Sequence, residues 1–491
     1  MTGIRRAFLW ASIGRYLVMA INLAATLILA RLLTPADYGI SVLGAAVFAI
    51  AEAIRALGGG AYLIQQKELA PENIRTSFTV SLLVTLVLTA ALVLSAGPLT
   101  RYFDTPDLAR YLQVSSFAYL TGPIVYPISA LMSRQMAFGR IALIGVVTAC
   151  LSAAVSLYLA VMGFGYMSFA WGTAISAVGG MLLYLYSWRD WRIFRPILRE
   201  WRSVIAFGAY DSATAVLSQI GESVPYLILG RILNAEAIGL GQRAVLLCLF
   251  PERVILAGVG AVALPAFSQQ VRDGKSLKDN YLRAIELITA AQWPALILLV
   301  LLAGPIVALL LGPQWQDAVP LVEIIGTALL FSFPISLHYP TLVAVGAIRY
   351  LPPVVVVQAI VSIGLLSFLA RYGLQAAALS TLLIVPFNGL LSLLLVRYFV
   401  VFRWAELAAS MFRSVLCAAA SAVGPLSLMA LEGRPLSIWA SIVAVALSTV
   451  GWVAGLWLTR HPLLHEARRA GAAFRKSGIA VKLMRFAARQ P

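Results

Sequence analysis

Apolar stretches long enough to cross a bilayer recur along almost the whole chain, and no other feature narrows its fold so far. A hydrocarbon core about 30 Å thick takes about 20 helical residues, each rising about 1.5 Å. Such segments lie near residues 12–33, 39–60, 78–98, 111–133, 140–161 and 166–187. They return near 204–231, 237–263, 283–311, 318–346, 353–371, 374–397, 408–430 and 437–459. Inside a bilayer the backbone must satisfy its own hydrogen bonds, and apolar runs of this length do so as helices. The expected fold class is an all-α integral membrane protein of about 14 transmembrane helices.

Composition agrees: of 491 residues, 61% are hydrophobic and 12% charged, where a soluble domain has about a quarter charged. The charges are 37 Lys and Arg against 20 Asp and Glu. In so apolar a chain that excess matches membrane lipid headgroups or an anionic substrate, not nucleic acid. Most of it falls in alternate connections, on the side that holds both termini. The positive-inside rule then puts both termini on the cytoplasmic side, and the expected location is an inner, plasma membrane. Arg5 and Arg6 precede a run from Ile13 to Ala30, which reads as an uncleaved first helix rather than a signal peptide. Outer connections are short, the longest being Leu99 to Arg110, which leaves no external domain to house a catalytic site. Cys150, Cys248 and Cys417 stand singly in apolar runs, without disulfide or metal spacing.

An offset of 200 aligns Arg31-Leu32-Leu33 through Gly39 with Arg231-Ile232-Leu233 through Gly239, and Glu52, Gly58 and Gly60 with Glu252, Gly258 and Gly260. An offset of 207 pairs Gly97-Pro98 with Gly304-Pro305 and Pro127-Ile128-Ser129 with Pro334-Ile335-Ser336. Six helices are therefore duplicated in parallel orientation. The expected organisation is an N-terminal lobe (1–187, helices 1–6), a basic and aromatic linker (188–203), a C-terminal lobe (204–397, helices 7–12), two further helices (398–459) and a basic amphipathic tail (460–491). Linker and tail both read as helices lying on the cytoplasmic membrane surface. Two parallel lobes around a cavity that can rock form a transporter architecture.

Ionisable residues at membrane depth are costly and mark functional surfaces. Arg15, Asn22 and Thr26 share one face of helix 1, and Asp211, Ser218 and Glu222 repeat the spacing in helix 7. Helix 2 carries Glu52 and Arg55 one turn apart, and helix 8 carries Arg243, Glu252 and Arg253. Arg15, Arg55, Arg243 and Arg253 are the candidates for binding phosphate, because a planar guanidinium matches phosphate oxygens. Asn22, Glu52, Asp211, Ser218, Glu222 and Glu252 are candidates for polar cavity or coupling positions, with H+ or Na+ as the coupling ion. The plainer reading is that Glu52 with Arg55, and Glu252 with Arg253 or Arg243, are structural pairs. Pro127, Pro334, Pro340 and Gly346 are expected to interrupt helices 4 and 10. Gly274-Lys275-Ser276 lacks the first glycine and the preceding strand of a phosphate-binding loop, and His461 with His465 lacks a metal-binding context. No metal or cofactor is expected.

The segment Ala30-Arg-Leu-Leu-Thr-Pro-Ala-Asp-Tyr-Gly39, with Gln65-Gln66-Lys67 beyond it, resembles the A-R-x-L-x-P-x-x-Y-G signature of the oligosaccharide flippases of polysaccharide biosynthesis. Their superfamily also holds multidrug and toxic-compound exporters and the lipid II flippase. The resemblance implies two V-shaped six-helix lobes plus two helices, and alternating access. It also implies an undecaprenyl-diphosphate-linked oligosaccharide substrate for exopolysaccharide, O-antigen or a similar glycan, carried from the cytoplasmic to the periplasmic leaflet. Polymerases and glycosyltransferases of the same pathway are the implied protein partners. Two rivals stand beside it: a cation-coupled multidrug exporter using the acidic residues, and a polytopic polymerase or glycosyltransferase.

Overall fold

The computed structural model describes residues 2–55, 57, 60–66, 69–199, 201–433, 435–464 and 466. The described residues form α1 (Thr2–Leu32), α2 (Pro35–Arg55), α3 (Gly60–Gln65), α4 (Pro71–Phe103), α5 (Asp107–Tyr119), α6 (Gly122–Arg134), α7 (Phe138–Val161) and α8 (Met167–Ser187). There follow α9 (Trp201–Ile232), α10 (Ala235–Arg272), α11 (Lys278–Leu301), α12 (Ala303–Leu310), α13 (Val319–Leu329) and α14 (Phe333–Ala344). The last are α15 (Leu351–Ala370), α16 (Leu374–Leu379), α17 (Thr381–Phe399), α18 (Trp404–Glu432) and α19 (Ile438–Leu458). Ten helices among the described residues are long and apolar enough to cross a membrane, or twelve if each of two bent pairs is one span. Beyond these, α9 and α10 are 32 and 38 residues long, sufficient on length alone.

Helix packing divides the chain into two compact units. The first comprises Met1–Gln242, Leu310–Trp315 and Leu366–Leu374, and the second the remainder. This partition differs from the repeat-based one because α9 packs closely on α2. Gly208 makes that approach feasible, since a Cβ there would stand 2.6 Å from the Leu57 carbonyl oxygen. In the second unit α11 and α18 pack together, α18 carries α19, and α14 and α13 lie on α17.

The signature segment turns out to be a joint. Thr34 and Asp37 cap α2 reciprocally, Thr34 N and Oγ1 donating to Asp37 Oδ2 (3.1 and 2.7 Å) while Asp37 N donates to Thr34 Oγ1 (3.2 Å). This satisfies donors that a helix N-terminus leaves open. The second Asp37 oxygen accepts from Tyr166 N at 2.9 Å, where Gly165 turns with φ +53°. Asn234 caps α10 in the same way, accepting from Ala237 N at 2.8 Å. Within the first unit the starts of α2 and α10 approach until their backbones touch. A Cβ on Gly39 would lie 1.5 Å from the Ala235 oxygen, and one on Gly239 would lie 1.9 Å from the Pro35 oxygen.

Two expectations need correction. The break in the span near 111–133 falls at Leu120 and Thr121, where α5 and α6 bend by 42°, and Pro127 lies inside continuous α6. The cause is Pro123 in the first turn of α6, a place where a missing N–H costs nothing. The corresponding 44° bend lies between α13 and α14, with Pro334 in the first turn of α14 and Pro340 inside it. Pro123 and Pro334 thus each stand in the first turn of the helix that follows a bend. Lastly, the linker is no surface helix: it has one 3-10 turn at Trp191–Phe194. Pro196 holds Arg195 extended, and the linker backbone bonds instead to α4. Arg75 Nε donates to Arg195 O (3.0 Å), Thr76 Oγ1 to Arg199 O (2.7 Å), and Ile197 N to Thr79 Oγ1 (2.9 Å). Of the tail, residues 465 and 467–491 lie outside the described residues.

Candidate functional site

The α5–α6 break builds a site inside the first unit. Positions three apart on a helix share a face, so Glu52 and Arg55 both emerge from the last turns of α2. Tyr119 closes α5, Tyr126 stands one turn into α6, and Gly122 opens α6 between them. The absent side chain of Gly122 is required, because a Cβ there would lie 1.9 Å from Arg55 Nη1.

Arg55 is 7% exposed and lies between two aromatic rings, its Cζ 4.4 Å from the Tyr119 centroid and 4.3 Å from that of Tyr126. Its Nη2 donates to Glu52 Oε1 and to the Tyr126 hydroxyl, and its Nη1 to Tyr119 O at 3.4 Å. Tyr126 in turn donates to Glu52 Oε1 at 2.8 Å, and Tyr119 OH to Ala51 O at 2.6 Å. Arg55 Nε has no hydrogen-bond partner among the described residues.

These groups line a cavity of about 570 Å³ whose other walls include Ala45, Ala49, Ser115, Thr173 and Gly180. That is within the size range of small-molecule sites. The Glu52 side chain is 47% exposed and so half-wet, whereas its guanidinium partner is dry. An anion reaching Arg55 competes with Glu52 for the guanidinium, whereas Glu52, which engages Arg55 and Tyr126 through Oε1 alone, stays open to a cation from the water side. The charges balance until one of these arrives.

The structure therefore brings Glu52 and Arg55 together as the one-turn spacing indicated. Arg15 and Asn22 are exposed on α1, and Ser218 and Glu222 are exposed on α9. The Asp211 side chain lies outside the described residues. In the second unit Arg243 is buried on α10 and Arg253 exposed, while half-buried Glu252 faces Ser332 and Ser336 near the α13–α14 bend. Reading the sequence missed Tyr119, Gly122 and Tyr126. The signal available was Gly122-Pro123 in the middle of an apolar run, which marks a helix restart.

The family described as polysaccharide biosynthesis protein matches residues 28–320. Among curated proteins, the chain is 23% identical over 326 residues to the lipopolysaccharide biosynthesis protein WzxC of Escherichia coli, covering 64% of this chain and 65% of that one. It is 25% identical over 381 residues to the succinoglycan biosynthesis transport protein ExoT of Rhizobium meliloti, covering 77% and 76%. The alignment with WzxC thus spans slightly less than two thirds of that relative. Among solved structures, the lipid II flippase MurJ in an inward closed conformation superposes with a TM-score of 0.72 at 14% identity, over 93% of this chain and all of that one.

Proposed function

The chain belongs to the polysaccharide biosynthesis protein family, and on that premise we propose that it is a flippase for undecaprenyl-diphosphate-linked oligosaccharide repeat units. It carries them from the cytoplasmic to the periplasmic leaflet by alternating access and makes or breaks no covalent bond. The observation that carries this reading is a flippase fold extending over 93% of the chain in a family named for polysaccharide biosynthesis. On it, Arg15, Arg55, Arg243 and Arg253 receive the diphosphate, and Glu52 releases Arg55 to it. A strong planar phosphate contact compensates the lost ion pair. Asp211, Glu222 and Glu252 serve the coupling ion, H+ or Na+, while Asn22 and Ser218 add polar lining. Both termini face the cytoplasm, and a polymerase and glycosyltransferases of the same pathway supply and consume the substrate.

One observation favours a second reading, export of small cations: the half-wet Glu52 carboxylate lies beside the aromatic rings of Tyr119 and Tyr126. The test is delivery of a fluorescent lipid-diphosphate oligosaccharide to the outer leaflet of vesicles holding purified protein, with an Arg55→Gln, Arg253→Gln variant checked for folding by gel filtration. Delivery by the intact protein, reduced at least tenfold in the folded variant, is expected. Efflux of cationic dyes without lipid delivery would overturn the proposal in favour of the exporter.

A further inference from the structure

A second cavity, of about 560 Å³, lies in the second unit, lined by Asp279, Leu282, Arg283 and Glu286 of α11, Ser410 of α18, and Arg460 and Pro462 beyond α19. The four α11 residues follow the i, i+3, i+4, i+7 pattern of one helix face. Three span ends meet here: α11 begins at Lys278, α18 begins at Trp404, and α19 ends at Leu458. Span ends lie at the depth of lipid headgroups, where Trp and basic residues anchor helices.

Glu286 is only 8% exposed, yet no hydrogen bond reaches its carboxylate among the described residues. The nearest cationic atom, Arg413 Nη1, stands 3.7 Å away on a half-exposed side chain. His461 Nε2, at 3.8 Å, brings no charge, because its Nδ1 accepts from Leu463 N at 3.1 Å. That bond leaves the ring the neutral tautomer. The Glu286 carboxylate lines the cavity, within hydrogen-bond distance of no donor among the described residues, and is open to a ligand that supplies one. On the rim Arg460 has no ion-pair partner among the described residues, and its backbone is held left-handed (φ 50°). Arg283 shares the wall and pairs at 2.8 Å with Glu466.

We propose that this cup binds the headgroup of a zwitterionic phospholipid with a primary ammonium group. Its phosphate lies on Arg283 and Arg460, and its ammonium donates to Glu286 and Asp279. Opposed charges on one cavity wall match a zwitterion, whereas a purely anionic headgroup would meet the two carboxylates. A trimethylated ammonium has no N–H to give Glu286. This site is separate from the Arg55 cavity and does not depend on what the protein transports.

The test is native mass spectrometry of the full chain released from detergent with equimolar phosphatidylethanolamine, phosphatidylcholine and phosphatidylglycerol. We expect one phosphatidylethanolamine retained at least fivefold over either competitor. Glu286→Gln, isosteric and still able to fill the cup, should abolish the discrimination against phosphatidylcholine. The exposed Arg460→Ala should weaken retention of phosphatidylethanolamine at least threefold. Equal retention of the three lipids, preference for phosphatidylglycerol, or unchanged selectivity in Glu286→Gln overturns the proposal. Soluble glycerophosphoethanolamine at equal concentration should not compete; if it does, the ligand is a free headgroup and the lipid assignment fails.

Discussion

Replacing Arg55 by Ala removes, in one step, an ion pair, a hydrogen bond to Tyr119 O and two ring contacts. Because Glu52 is half exposed, water screens the pair, and its share is about 1 kcal/mol or less. Each ring contact to so buried a cation adds about 1 kcal/mol, and the vacated space about 1 more. The expected loss is about 4 kcal/mol, or about 8 to 16 °C in the midpoint of thermal unfolding for a unit of this size. Arg55→Lys keeps the charge without the planar fork and should lose about half as much. The decisive measurement is a double-mutant cycle, because in a Glu52→Gln background no carboxylate is stranded. Arg55→Ala should there cost about 1 kcal/mol less than in the native protein. Thermal gel-filtration midpoints of purified protein in one detergent supply all four corners. Equal losses in both backgrounds would show that guanidinium and carboxylate do not interact, and a loss under about 1 °C would refute the buried, ring-clamped arginine.

Asp37→Ala leaves the Thr34 cap on the helix but removes the acceptor of Thr34 N–H and of Tyr166 N–H, so a destabilisation of about 1 to 2 kcal/mol is expected, with Asp37→Asn intermediate; a midpoint equal to that of the native protein would contradict the joint. His461 is wholly buried, and burial, with Arg413 adding to it, pulls its pKa down to about 4. The unfolded chain therefore takes up a proton that the folded protein refuses once pH falls below about 6.5, and stability held at neutral pH is lost between about 6.5 and 4. His461→Gln should flatten the midpoint against pH over that window, and identical slopes in both proteins would sink the assignment.

The spans were legible because a bilayer leaves little choice: a long apolar run must be a helix, and the observed ends fall within a few residues of the composition limits for α7, α8 and α19. Connections were less legible. The linker has helix-like amphipathic chemistry, and only Pro196 and the hydroxyls of Thr76 and Thr79, far away in sequence, make it extended. The bend near Leu120 was placed at the wrong proline, while that before α14 was placed correctly at Pro334, because Pro123 and Pro127 look alike in a string of letters. They differ only in whether a helix N-terminus or a helix middle receives them. At the site, Glu52 and Arg55 were readable from a one-turn spacing. Tyr119 and Tyr126 sit 64 and 71 residues from Arg55, and no local pattern encodes a clamp formed across that distance. The grouping of α9 with the first unit was hidden for the same reason, resting on a glycine contact between α9 and Leu57.

The reciprocal contact of Gly39 with Ala235 and of Gly239 with Pro35 is made of main chain on both sides, and every residue type offers the same main chain. Side chains around such a joint can therefore differ without altering its fit, so α2 can carry the arginine clamp and α10 another set of charges on the same seam. The constraint falls on two missing methyl groups, at Gly39 and Gly239, where any β-carbon would run into the facing main chain.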